Sequence, residues 1–198
     1  PGAGWHGHTA IVATGMSETA EKRLPGDLDR AALVARMLRV DHAGEQGAKR
    51  IYDGQLAVLG HTIAGPIIRR MAEQEHEHLA AIDQLLAERQ VRPTVLSPVW
   101  HVAGFALGAA SALLGTRAAM ACTVAVEDTI EAHYQNQINA LGDDEADLRE
   151  KVTKFRDDEL EHRDTGLAHG AEEAPGYALL DRSVRAGTRL AIWLSKRI

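Results

Sequence analysis

Apolar residues recur at helical spacing along four stretches of the chain, and in each stretch an acidic residue takes a place the stripe would ordinarily give to leucine. Residues 28–59 contain no proline and no extended β-type run, with Asp27 as an N-cap and Gly60 as a stop, which predicts a first helix there. Its stripe reads Leu38, Glu45, Ala48, Tyr52, Leu56 and Leu59. Gly44 and Gly47 flank the carboxylate, weakening the helix locally while allowing close approach of a neighbour or a ligand. Pro66 suits the first turn of a second helix, which runs to about residue 90 before Pro93. Ile68, Met71, Glu75, His78, Ile82 and Leu85 share one face of it. A helix predicted over 116–141 carries Met120, Val124, Glu127, Tyr134, Ile138 and Leu141; Glu131, one turn from Glu127, lies on nearly the same face, so periodicity leaves their roles open. Leu148, Val152, Phe155, Glu159, His162 and Gly166 align on a further helix that ends near Gly170.

Two other segments differ in character. From Val95 to Val126 the only formal charge is Arg117, and residues 99–116 reach the length of a candidate membrane span. Three readings compete: a spanning helix interrupted by Gly104, Gly108 and Gly115, a buried crossover helix, and a helix lying in the membrane interface with Trp100 and Phe105 as anchors. The last amphipathic segment, 177–195, sets Leu180, Val184, Ala191 and Leu194 opposite Arg182, Arg185 and Arg189, a basic pattern compatible with a membrane surface. Residues 1–23 are uninformative, and 1–15 show no helical period. Met16 reads as the native start, the segment is taken as disordered or cloning-derived, and His6 and His8 fall in it. One domain then occupies residues 24–198.

The acidic intruders form a repeat. Glu75 and His78, and again Glu159 and His162, sit at i and i+3, so each pair presents a carboxylate and an imidazole to one point. Glu45 precedes the first pair by 30 residues and Glu127 precedes the second by 32. Glu-x-x-His alone is a weak signal, with about one match expected by chance in a chain of this composition. Glu73/His76 is such a match, but it aligns with Arg69 and Asp83 on a polar face and reads as solvated. Four carboxylates on apolar stripes with no lysine or arginine among them require protons or cations, and two divalent ions restore neutrality. Oxygen-rich ligation with one imidazole per ion suits iron or manganese rather than structural zinc. The expected architecture is all-α: a ferritin-like four-helix bundle with an additional apolar crossover helix and a C-terminal amphipathic helix.

Composition narrows the functions. A net charge of -6, with no lysine/arginine run, gives no footprint for nucleic acid. Cys122 is the only cysteine, which excludes internal disulfides, Cys-x-x-Cys redox chemistry and a four-cysteine electron-transfer centre of the kind a rubrerythrin-like peroxidase needs. No Gly-x-Gly-x-x-Gly or Walker motif marks a nucleotide domain.

The segments LRVDHAGEQGAKRIYDGQLAVLG at 38–60, VRPTVLSPVW at 91–100, GFALGAASALLG at 104–115, AMACTVAVED at 119–128 and FRDDELEHRDTGL at 155–167, with the tail around APGYALL, resemble the demethoxyubiquinone hydroxylases. The resemblance runs from about Leu24 to Ile198. It implies a di-iron monooxygenase of ubiquinone biosynthesis that hydroxylates a polyprenyl methoxy-methyl-benzoquinol with O2, with NADH as reductant. It also implies six metal ligands, Glu45, Glu75, His78, Glu127, Glu159 and His162, with Glu75 and Glu159 bridging, and it favours Glu127 over Glu131. Tyr134 reads either as a core tyrosine or as a partner of a ligand or of the ring, with the core role favoured; Asp158 reads as a solvated aspartate rather than a partner of a histidine. The implied setting is a peripheral one, interfacial rather than spanning. The absence of an arginine-rich leader points to the cytoplasmic face of a bacterial inner membrane over the mitochondrial matrix face. Membrane lipid, the polyprenyl quinol, a lipid-binding accessory protein and a second copy of the chain are the implied partners. An iron-storage bundle with incidental ferrous oxidation is the rival from another class.

Overall fold

A computed structural model describes residues 28–198, so the expectations for residues 1–23 and for Asp27 lie outside the described residues. Helix α1 spans Arg30–Leu59, α2 Gly65–Glu88, α3 Ser97–Leu113, α4 Thr116–Ala140, α5 Ala146–Ala168 and α6 Tyr177–Ser195. Among the described residues there is no strand. The cap of α1 is Asp29, whose carboxylate accepts from the Ala32 amide at 2.7 Å, so the helix starts two residues beyond the predicted cap. Pro66 stands in the first turn of α2 and Pro98 in that of α3, where the missing amide hydrogen costs nothing.

Helices α1 and α2 form one antiparallel hairpin and α4 and α5 another, closed by the short connections at 60–64 and 141–145. The core falls into two apolar layers. One gathers Leu38 and Ile51 of α1, Ile82 and Leu85 of α2, Ile130 of α4, and Val152 and Phe155 of α5. The other gathers Tyr52 and Leu59 of α1, Ile68 and Met71 of α2, and Ala119 to Ala121 of α4.

Helix α3 does not join the bundle as a fifth equal member. It lies along α1 at backbone contact: a Cβ at Gly104 would come 2.7 Å from the Gly47 carbonyl oxygen, and one at Gly108 would come 1.9 Å from that of Ile51. Contacts that advance together along both helices make them parallel. The small residues predicted for close packing thus serve α1 rather than a membrane partner. Gly115, at φ +104, ends the apolar run in a conformation that side chains rarely adopt and splits it into α3 and α4. Among the described residues no helix is long and apolar enough to cross a membrane. The spanning reading of 95–126 is therefore excluded by the helix break.

Helix α6 packs mainly on α4 through Val184 and Leu180. Arg185 does not belong to a free basic face: it is half-buried and pairs with Asp128 of α4 and, at 2.7 Å, with Asp181. Trp100 of α3 donates from Nε1 to Ser195 Oγ of α6 at 3.0 Å, tying the two outer helices across one end.

Candidate metal centre

All six residues with ligand chemistry meet in the interior of the bundle. Glu45, Glu75, Glu127 and Glu159 are essentially inaccessible, and His78 and His162 nearly so. Two groups of side chains each bring ligand atoms within 4.8 Å of one another: Glu45, Glu75, His78 and Glu159 form one, and Glu75, Glu127, Glu159 and His162 the other. Glu75 and Glu159 belong to both. His78 Nδ1 lies 3.5 Å from Glu45 and 3.6 Å from Glu159; His162 Nδ1 lies 3.0 Å from Glu75 and 3.5 Å from Glu159.

These approaches are close, yet they lack hydrogen-bonding geometry. Both oxygens of Glu75 and of Glu159, one oxygen each of Glu45 and Glu127, and Nδ1 of each histidine have no hydrogen-bond partner. Leaving such atoms buried and unpaired costs roughly 1–3 kcal/mol each, and a bundle tolerates so many in one place only if something else satisfies them. The set fits a pair of divalent cations: two shared carboxylates offer two atoms each, and two unshared carboxylates and two imidazoles offer one each.

Every remaining polar atom of the six is held from the opposite hairpin. Tyr52 of α1 donates to Glu127 of α4 at 2.6 Å, and Tyr134 of α4 donates to Glu45 of α1. His78 of α2 bonds through Nε2 to Asp158 of α5 at 2.9 Å, and His162 of α5 through Nε2 to Gln74 of α2 at 3.2 Å. Donation from Nε2 fixes the tautomer and leaves the Nδ1 lone pair for a metal. Tyr134 is a buried core tyrosine whose hydroxyl also bonds Glu45 of the cluster, and Asp158 bonds His78 where a solvated aspartate was favoured. Tyr52 and Gln74 were not singled out in the sequence. The spacing was a signal for the first: Tyr52 follows Glu45 by seven residues, as Tyr134 follows Glu127. Glu131 is half-buried and outside both groups, and Glu73 and His76 face solvent.

The electrostatics match a cation site. Burial, reinforced by the neighbouring Glu159, pushes the Glu75 carboxyl well above its usual range, and the same two causes raise Glu127. Against the same burial, the two imidazoles hold Glu159 down to about 2, and Glu159 and Glu45 lift His78 to about 12. Tyr52 and Tyr134 are held neutral, chiefly by burial and then by the carboxylates they bond. Four carboxylates in one dry space cannot all carry charge unaided.

A cavity of about 380 Å³ opens beside the centre, between α1, α3, α4 and α6. Its lining is apolar, with Ile51, Trp100, Leu107 and Ile130 among its walls, and it reaches Tyr134. Gly44 and Gly47 line it, and a Cβ at either would meet nothing within 4 Å, so this wall stays open.

Residues 32–195 match the family described as ubiquinone biosynthesis protein COQ7. The chain belongs to that family. It is 57% identical over 182 residues to a protein of Rhodospirillum rubrum named 3-demethoxyubiquinol 3-hydroxylase, covering 91% of this chain and 86% of that protein. To the human NADPH-dependent 3-demethoxyubiquinone 3-hydroxylase, mitochondrial, it is 54% identical over 176 residues, 87% of this chain and 81% of the other. A Saccharomyces cerevisiae protein, 5-demethoxyubiquinone hydroxylase, mitochondrial, is 36% identical over 208 residues, covering 96% and 89%. The resemblance read from the motifs and the membership found by comparison agree.

Proposed function

We propose that this chain hydroxylates the ring of a polyprenyl demethoxyubiquinol with O2, at two iron ions held by Glu45, Glu75, His78, Glu127, Glu159 and His162. The chain is a hydroxylase of ubiquinone biosynthesis, as its family and its relatives' names have it. One observation carries the reading from family to site: the apolar cavity ends on Tyr134, whose hydroxyl donates to Glu45 of the carboxylate cluster. A ring in that cavity lies one side chain from the cluster.

The irons, when bound, supply the oxygen activation that side chains lack. The protein's own share is geometric and electrostatic. Glu75 and Glu159 belong to both groups and would serve both ions, and Tyr52 and Tyr134 each hold one oxygen of an unshared carboxylate so that its other oxygen is free. Asp158 and Gln74 orient the imidazoles. The apolar core around the six side chains excludes water, and the cavity would present the ring from the side.

Relatives from Dictyostelium and human are named NADPH-dependent. The reductant in this reading is a reduced nicotinamide nucleotide, NADH or NADPH. Attachment to the membrane is peripheral: Val99 and Val102 on α3 and Leu190 and Trp193 on α6 are exposed apolar side chains on the two helices that flank the cavity. The polyprenyl tail would pass between those helices into lipid. The human relative is named mitochondrial, and in this reading the membrane is the inner membrane of a bacterium or of a mitochondrion. A lipid-binding accessory protein and self-association belong to the same reading.

The test is one assay. Iron-loaded protein, O2, NADH or NADPH and a short-chain demethoxy-quinol are incubated, and the extract is read by mass spectrometry. A product heavier by one oxygen is expected. Rapid oxidation of ferrous iron with no such product overturns the reading in favour of storage.

A further inference from the structure

The glycines inside the helices are of two kinds. A Cβ at Gly54, Gly104, Gly108 or Gly166 would come within 3 Å of a neighbouring helix, so tight packing accounts for those four. At Gly44 and Gly47 of α1 and at Gly187 of α6 a Cβ would meet nothing within 4 Å, and none of these three has a positive φ. Neither packing nor backbone conformation therefore requires glycine there, although after proline it is the least favourable residue in a helix interior. All three line the apolar cavity. Room that no atom of the chain fills, kept on two different helices around one cavity, is room for a ligand.

Gly187 stands at the mouth. Among the lining residues, Ala103 of α3 and Gly187 and Leu190 of α6 are the exposed ones, which places the opening between those two helices. A ring seated inside must send its tail out past them. We propose that Gly187 is the sill over which the prenyl tail leaves the cavity, its missing side chain deciding whether a ring that carries such a tail can be seated. The inference rests on reading the cavity as the ring site. A prenyl chain has a methyl branch in every unit and needs a wider slot than a plain methylene chain, and a rim without a side chain supplies that width. Passing along Leu190, the tail removes apolar surface from water and so adds affinity to that of the ring. Gly187 is thus a specificity residue for the tail, apart from the six side chains of the cluster and from the tyrosines that hold them.

The experiment compares ligands with and without the tail. Iron-loaded full-length protein, without reductant so that no turnover occurs, is titrated with a methoxy-methyl-benzoquinone bearing two prenyl units and with the same ring bearing none. Quenching of tryptophan fluorescence reports binding, since Trp100 is in the lining. In the wild-type chain the tail is expected to tighten binding by more than about tenfold. Gly187→Phe is expected to cut that gain to below about threefold while the tail-less ring keeps its affinity within about threefold. Retained binding of the tail-less ring shows that the variant folds. Gly187→Ala is expected to raise the melting temperature by about 1–4 °C, as alanine does where glycine has no structural reason. A lowered melting temperature would give the glycine a role in the fold and overturn the proposal. An intact tail gain in Gly187→Phe, an equal loss for both ligands, or a wild-type chain that binds both rings equally overturns it too. A wild-type chain that binds neither ring overturns the reading of the cavity as the ring site, and the inference with it.

Discussion

Glu75 and Glu159 offer both oxygens to the centre, whereas Glu45 and Glu127 each give one to a tyrosine. Loss of a shared carboxylate should therefore damage both metal positions, and loss of an unshared one only its own. In anaerobic ferrous titrations Glu159→Ala is expected to hold well under one iron per chain, Glu127→Ala about one, and Glu131→Ala the full two. Tyr52→Phe strips Glu127 of its donor and is expected to weaken metal binding by roughly 10–100-fold with unchanged helicity. The pH dependence follows from the shifts. Glu75 and Glu127 are raised by burial, and His78 and His162 by their carboxylate neighbours, so in the metal-free centre these groups retain protons as pH rises. Divalent ions must displace those protons. Affinity should thus fall as pH falls, and adding Mn2+ to metal-free protein in weak buffer should acidify the solution; no proton release would contradict this account. Much of this was legible in the sequence, because a carboxylate in an apolar stripe is conspicuous on its own helix. Asp158 and Gln74 were not, since each lies off the ligand face of its own helix and acts on the other hairpin. Periodicity reports a helix's faces but not what stands opposite them.

Among the elements, α3 shows the limits of composition. Its apolarity admitted three readings, and what decides between them is a glycine at positive φ together with the glycines that meet α1. Gly108→Ala sets a methyl group against the Ile51 carbonyl and should cost roughly 1–3 kcal/mol, lowering the melting temperature by several degrees. Gly44→Ala, where a Cβ meets nothing within 4 Å, should not destabilise the fold and provides the control. The hairpins were readable from their short connections. The parallel packing of α3 on α1 was not, because a loop of eight residues between α2 and α3 permits several directions of return.

In the whole molecule, Val99 and Val102 of α3 and Leu190 and Trp193 of α6 are exposed on the two outer helices that wall the cavity. Replacing Leu190 and Trp193 together by glutamate should reduce sedimentation with lipid vesicles by about tenfold or more while leaving metal content unchanged. Washing the wild-type protein from vesicles with high salt alone would contradict an apolar attachment.

The exchange of hydrogen bonds across the centre has a further consequence. Neither hairpin would complete its own share of the proposed ligation: the tyrosine or acceptor that steadies each of the six side chains comes from the other pair of helices. A bound cation is then a clasp between two halves of the chain, and the docked state alone can hold it. By mass action the fold gains about 2.7 kcal/mol for each site when free metal stands at a hundred times its dissociation constant. The supply of iron would accordingly set how long the two halves stay together.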